Sequence, residues 1–173
     1  MLYKERDEEA RAGFRKLIQS LSPESVVYLD ESGIDENIVH DRAWVKKGQT
    51  VIGERVGKYK KRTTVIAALN QGKIIAPFYF KGYTDTNVFL TWLKQCLVPD
   101  LRPGQVVVMD NASFHKSKKI EALINAAGCT LLYLPPYSPD LNPIEKCWAN
   151  IKQKLKRMAS TNGFFANLDL CLR

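Results

Sequence analysis

The chain has 173 residues, 45 % of them apolar and 25 % charged, with a formal net charge of +8; this suits one folded domain and excludes a disordered or fibrous chain. No apolar run approaches the ~18 residues of a membrane span. The charged start MLYKERDEEARAGF lacks a signal-peptide core, so the expectation is an intracellular, cytoplasmic protein with no membrane partner.

Residues 4–21 read as a helix, with Ala10, Phe14, Leu17, Ile18 and Leu21 at helical spacing. SPES breaks that pattern, and VVYLD (26–30) is a short apolar strand. Residues 31–57 are irregular, with one short strand at RAWV. TTVIAALN (63–70) and KIIAPFYF (73–80) are β-rich runs joined through Gln71-Gly72, the signature of a hairpin. TDTNVFLTWLKQCL (84–97) is a helix with Val88, Phe89, Trp92, Leu93, Cys96 and Leu97 on one stripe and Thr84 or Thr86 as its cap. After turns at Pro99 and Pro103-Gly104, QVVVMD (105–110) is a buried-type strand. Ser117 caps the next helix, Gly128 stops it, and CTLLYL (129–134) is a further strand. The last clear helix covers 143–158, with Ile144, Trp148, Ile151, Leu155 and Met158 on one face, and the residues beyond Met158 form a short tail. This order predicts an α/β fold, a mixed sheet with helices on its faces.

Four cysteines with no C-x-x-C and only two histidines, His40 and His115, argue against structural zinc and for free, mostly buried thiols. Residues 1–25 sum to zero charge, so the whole excess of +8 lies in 26–173. It clusters as KYKKR (58–62), KSKK (116–119) and KQKLKR (152–157). Such clusters suit a polyanionic partner; the alternative is a solvated basic surface.

Three carboxylates stand out. Asp30 and Asp110 each close a nearly all-apolar strand, where an unpaired charge is costly. Each has a structural reading as a turn cap. Two at equivalent strand ends favour a cation between them, because close like charges repel and Mg²⁺ takes carboxylate oxygens. Glu145 follows Asn142-Pro143, and those residues read as N-cap and N1 of a helix with Glu145 at N3 of a capping box. Locally that reading needs no metal.

YLDESGID, VVVMDNASFHKS and LPPYSPDLNPIEKCWANIKQKLK resemble the three signature blocks of the transposases of mariner-related bacterial insertion sequences, which are D-D-E recombinases with an RNase H-like fold. The resemblance runs from about Ser25 to Arg157. It places the acidic triad on Asp30, Asp110 and Glu145, with 34 residues between the last two, the spacing expected for Glu as third acid. It implies an RNase H-like mixed sheet flanked by helices. It also implies two Mg²⁺ or Mn²⁺ ions held by the triad for two-metal phosphoryl transfer, serving both DNA end cleavage and strand transfer. The implied partners are the terminal inverted repeats and a target DNA, at TA dinucleotides for this family, and a dimer on DNA to hold two ends. The protein would then be associated with the nucleoid. The alternatives are an RNase H-like endonuclease of other specificity and a catalytically silent DNA-binding remnant.

Around the triad, His115 either touches a scissile phosphate or helps cap the helix after it. Asn111 either orients a metal ligand or water, or is a turn residue. Lys116, Lys118, Lys119 and Lys152 read as phosphate contacts or solvated lysines. Lys46 and Lys47, in a stretch that also resembles the family, would approach DNA. Trp44 and Trp148 read as packing residues. The expected organisation is a linker helix at 1–24 and an RNase H-like catalytic domain at 25–173, with no room for the helix-turn-helix region that complete transposases of this type carry.

Overall fold

In the computed structural model the described residues are 6–36, 45–50, 62–112, 115–158 and 163–173. Five strands are built from the predicted apolar runs: β1 (Val26–Asp35), β2 (Arg62–Asn70), β3 (Lys73–Lys81), β4 (Val106–Met109) and β5 (Thr130–Tyr133). Among the described residues five α-helices accompany them: α1 (Glu8–Ser20), α2 (Thr86–Trp92), α3 (Lys118–Ala126), α4 (Ile144–Met158) and α5 (Phe164–Leu172). The strands form one mixed sheet in the order β3-β2-β1-β4-β5. β2 runs antiparallel to both β1 and β3, while β4 pairs parallel to β1 and β5 parallel to β4.

The hairpin turns where Gln71-Gly72 marks it. Gln71 has φ 49° and Gly72 φ 75°, the doubly positive pair that lets a two-residue turn follow the strand twist. β3 is an edge strand and carries Pro77. The β2–β3 register shifts between Ile66 and Ala68, and Ala76, at φ 49°, turns the chain there. Its carbonyl accepts the Trp92 indole N–H at 2.8 Å. A proline has no ladder hydrogen to give, so the irregularity is where it belongs.

Side-chain alternation divides the core. Val27, Leu29, Val107 and Met109 face α2 and α3, packing with Phe89, Trp92, Leu93, Leu97, Ile120 and Ile124. Val26, Tyr28 and Val108 face the other way, against Phe14 of α1. On that same face Ile34, Val65, Ala67 and Leu69 meet Trp148, Ile151 and Leu155 of α4 and Leu168, Cys171 and Leu172 of α5. Among the described residues no helix is long and apolar enough to cross a membrane.

Three expectations change, and a fourth falls largely on residues that are not described. β1 does not stop at Asp30; it continues through ESGID to Asp35, because the antiparallel pairing with β2 runs on to Asp35 opposite Arg62. The cap of α2 is neither threonine but Asp85, whose Oδ1 accepts the Val88 N–H at 2.8 Å, and the helix goes on as a wider π turn over Leu93–Leu97. The residues after Met158 include a helix, α5, whose apolar side covers α4. The RAWV strand lies mostly outside the described residues.

Candidate active site

β1 and β4 pair in parallel up to Tyr28 opposite Val108. Two residues further along the chain from this pair come Asp30 and Asp110, and both line the same cleft. β4 ends at Met109, so Asp110 sits just past the strand and Asp30 within one. Asp30 carries a large share of the site's electrostatic tension. Burial, then repulsion from Glu145 and Asp110, pushes its carboxyl up to about 7, against the pull of the Glu31 N–H and the Trp148 indole. The Trp148 Nε1–H reaches Asp30 Oδ2 at 3.2 Å. Trp148 is a packing residue, as expected, and also tethers this carboxylate.

Asp110 shows the opposite balance. Burial pushes its carboxyl up, but hydrogen bonds from His115 and from the Ala112 N–H outweigh burial and hold it below the usual range. Ala112 N meets Oδ1 at 3.0 Å, and His115 Nδ1 meets the same oxygen at 2.5 Å. His115 Nε2 lies 3.1 Å from Glu31 Oε1. Carboxylates only accept, so an imidazole between two of them donates at both nitrogens and is a cation. Burial opposes that charge, yet the bonds to Asp110 and Glu31 raise the ring to about 9.

Glu145 enters from the start of α4. The local sequence suggests a capping box, but the Asn142 N–H goes to the Pro139 carbonyl at 3.0 Å, leaving no backbone hydrogen for Glu145 to cap. The helix is opened by the Asn142 carbonyl, which accepts the Glu145 N–H at 3.2 Å. The exposed Glu145 carboxylate has no hydrogen bond among the described residues and faces a cleft of about 230 Å³. Asp30, Asp110, Asn111, Asn142 and the turn Leu134–Pro139 line the same cleft. Asn142 is buried, and its Oδ1 has no hydrogen-bond partner there. Its Nδ2 lies 3.5 Å from the Leu29 carbonyl. Asn111 Nδ2 donates to the Leu134 carbonyl at 2.5 Å, tying the ends of β4 and β5 together.

The proline-rich wall is braced from α1. The guanidinium of Arg11, 2 % exposed, donates to Asp140 Oδ2 at 2.7 Å and to Ser138 Oγ at 2.7 Å. Arg6 reaches Asp140 Oδ1 at 3.0 Å and the Tyr137 carbonyl at 3.2 Å. Tyr137 has φ 53°, so the chain turns sharply at the cleft mouth. Asp140, exposed enough to stay hydrated on one side, is held below the usual carboxylate range by the hydrogen bond from Arg11.

The three predicted carboxylates therefore line one cleft, although among the described residues no three His, Cys, Asp or Glu side chains are gathered into a finished metal cage. His115 is turned away from the cleft, buried between Asp110 and Glu31. Lys116, Lys118 and Lys119 are exposed at the start of α3, Lys152 is exposed on α4, and Lys46 and Lys47 are exposed in a turn. Glu31, Trp148, Arg11 and Asn142 were not readable as parts of the site from sequence spacing. Only the adjacency of Glu31 to Asp30 offered a signal.

With this geometry in view, the chain matches the family model of the DDE superfamily endonucleases over residues 25–164. It is 30 % identical over 77 residues to the Transposable element Tc1 transposase of Caenorhabditis elegans, covering 44 % of this chain and 28 % of that protein. It is 32 % identical over 94 residues to the Tcb1 transposase of Caenorhabditis briggsae, covering 51 % and 34 %. The chain thus spans about a third or less of the length of these relatives. Its fold superposes on the Mos1 transposase paired-end complex with left transposon end at a TM-score of 0.69, 15 % identity, over 99 % of this chain and 60 % of that one. The Mos1 mariner paired-end complex is also solved with Mn and with Mg. The mixed five-stranded sheet with flanking helices is RNase H-like, as the signature blocks imply. By its sequence blocks and its match along most of its length, the chain belongs to the DDE superfamily endonucleases.

Proposed function

We propose that this chain is the catalytic domain of a mariner-related transposase of insertion-sequence type, in which Asp30, Asp110 and Glu145 hold two Mg²⁺ or Mn²⁺ ions. The observation that carries the reading is the single cleft lined by all three carboxylates, with Asp30 raised to about 7 by burial and by its two acidic neighbours. The donor set fits a hard dication. It consists of carboxylate oxygens plus the buried, unpartnered Oδ1 of Asn142. Divalent ions there would supply charge neutralisation for the attacking and departing oxygens of a phosphodiester.

The protein's own groups supply the rest. Trp148 fixes Asp30, and His115 with the Ala112 N–H fixes Asp110. Glu145, on the first turn of α4 and without a hydrogen bond among the described residues, would be available to hold an ion. The Leu134–Pro139 turn, braced by Arg6 and Arg11, sets where α4 begins and how far Glu145 stands from Asp30. The chemistry is attack of water on the phosphodiester with departure of a DNA 3′-hydroxyl, then attack of that hydroxyl on a phosphodiester of target DNA, which breaks the target P–O bond and releases the target strand's own 3′-hydroxyl. The exposed lysines Lys116, Lys118, Lys119 and Lys152, with Lys46 and Lys47, supply charge for the DNA backbone. Terminal repeats and a TA target are the DNA partners, a dimer on DNA joins two ends, and the nucleoid is the site of action. In this reading residues 25–173 form the catalytic domain.

One observation favours a silent site instead: the carboxylates are not already gathered into a cage. A single experiment separates the readings. Wild type and Asp110→Ala are incubated with supercoiled plasmid, and with an RNA–DNA hybrid, in Mn²⁺. Plasmid nicking that vanishes in the variant supports the proposal. Cleavage of the hybrid alone supports a different endonuclease, and no cleavage of either supports the silent site.

A further inference from the structure

Both hydrogen bonds to Asp110 fall on the same oxygen, Oδ1, from Ala112 N at 3.0 Å and His115 Nδ1 at 2.5 Å. Among the described residues no donor meets Oδ2. A carboxylate pinned at one oxygen has its rotation set, and the other oxygen is left for the cleft that Asp110 lines. The pin is only as rigid as the ring that provides it. His115 is 2 % exposed, and its ring lies 4.4 Å from that of Phe89. Its carbonyl accepts the Tyr133 hydroxyl at 3.0 Å, and its far nitrogen is 3.1 Å from Glu31 Oε1. Glu31 follows Asp30 on β1, but by alternation it points to the opposite face of the sheet, toward α2 and α3. The chain Glu31–His115–Asp110 therefore crosses from one face to the other around the end of β4.

We propose that Glu31 is a positioning residue for the metal site: by holding His115 Nε2–H it fixes the ring, and through the ring it aims Asp110 Oδ2 into the cleft. The inference rests on the reading of Asp110 as a metal ligand. Helix capping does not account for the arrangement. Ser117 caps α3 with its own hydroxyl, and a charged imidazole buried beneath its two carboxylates is a poor substitute for an apolar residue if stability alone is served. Partners that orient a ligating group are typically worth about 10–100-fold in metal affinity.

The test is Mn²⁺ binding to the full chain, followed by the electron spin resonance signal of free Mn²⁺, with the melting temperature of each variant recorded beside it. Glu31→Leu, which removes the acceptor, is expected to raise the Mn²⁺ Kd about tenfold. Glu31→Gln, whose side-chain carbonyl still accepts from Nε2–H, is expected to stay within about threefold of wild type. Glu31→Asp keeps the charge but shortens the reach, and is expected to weaken binding severalfold; it decides the matter if the leucine variant does not fold. Wild-type Kd in the leucine or the aspartate variant overturns the inference, as does equal loss in Glu31→Leu and Glu31→Gln, because charge rather than the hydrogen bond would then matter. Binding lost in Asp110→Ala but untouched in Glu31→Leu refutes this inference alone. Binding that survives in Asp110→Ala refutes the ligand reading of Asp110 and the inference with it.

Discussion

The brace between α1 and the proline-rich wall makes an asymmetric prediction. Arg11 is 2 % exposed, whereas Asp140 is 46 % exposed. Asp140→Ala leaves a buried guanidinium whose remaining ionic partner is the well-exposed Glu8, at 3.1 Å, and it also removes the carboxylate that Arg6 reaches. Breaking a buried pair by removing one partner costs roughly 3–5 kcal/mol; the half-exposed partner places this case near the lower end, about 3 kcal/mol. Arg11→Met keeps the apolar stem packed and leaves a carboxylate that water can reach, so its cost is about 1–2 kcal/mol. At roughly 2–4 °C per kcal/mol for a domain of this size, the two variants should melt about 6–12 °C and 2–8 °C below wild type at pH 7.

The pH dependence follows from the same pair. Asp140 is depressed below its ordinary 3.8, so the folded state binds that proton less readily than the unfolded one. Its contribution is fully present above the unfolded value and is lost as pH falls through the folded value. Arg11→Met should therefore flatten the acid limb of the stability curve below about pH 4. Thermal denaturation followed by circular dichroism from pH 2 to 7 reads both effects. An arginine variant less stable than the aspartate variant, or an unchanged acid limb, refutes the reasoning.

Three further outcomes follow. Trp148→Phe keeps an aromatic ring in the core but removes the donor to Asp30; chemical denaturation should show a loss of about 1–3 kcal/mol, and Mn²⁺ binding should weaken in the same variant. Leu168→Ala opens the contact of α5 with α4 and should cost about 2–5 kcal/mol in urea unfolding; a cost under about 0.5 kcal/mol would mean that α5 does not belong to the core. Gly72→Ala, at φ 75° in the hairpin, should cost about 1 kcal/mol by the same assay, whereas Gln71→Gly, at φ 49°, should be neutral or stabilising.

The parts of the fold that read directly from sequence are those where local chemistry and tertiary packing agree. Gln71-Gly72 asks for a positive-φ turn and forms one. The stripe Phe89, Trp92, Leu93 and Leu97 is apolar at helical spacing and is buried as such. The failures have physical reasons. ESGID looks polar, yet it is strand because β2 supplies a partner along its whole length. FFANLDLCL has apolar residues on too many sides to announce one helix face, and its order comes from docking on α4. Asp85, between two threonines, won the cap of α2 because its carboxylate reaches the Val88 N–H. The carboxylates were visible as residues, but their alignment depends on the parallel register of β1 and β4, which is a long-range property. The pairing of Glu31 with His115 joins residues 84 apart in the chain and leaves no local trace. Glu145 was legible as a helix-start residue. Its release from the cap depends on the Asn142 N–H already being taken by Pro139.

The most direct test of the account is crystallographic. Crystals soaked in Mn²⁺ and measured for anomalous scattering should show metal peaks in the cleft between Asp30, Asp110 and Glu145, and Glu145→Gln should fold normally while losing at least one of them. Anomalous density elsewhere with none between these carboxylates, or undiminished peaks in Glu145→Gln, would contradict the assignment of this cleft as the metal-dependent active site.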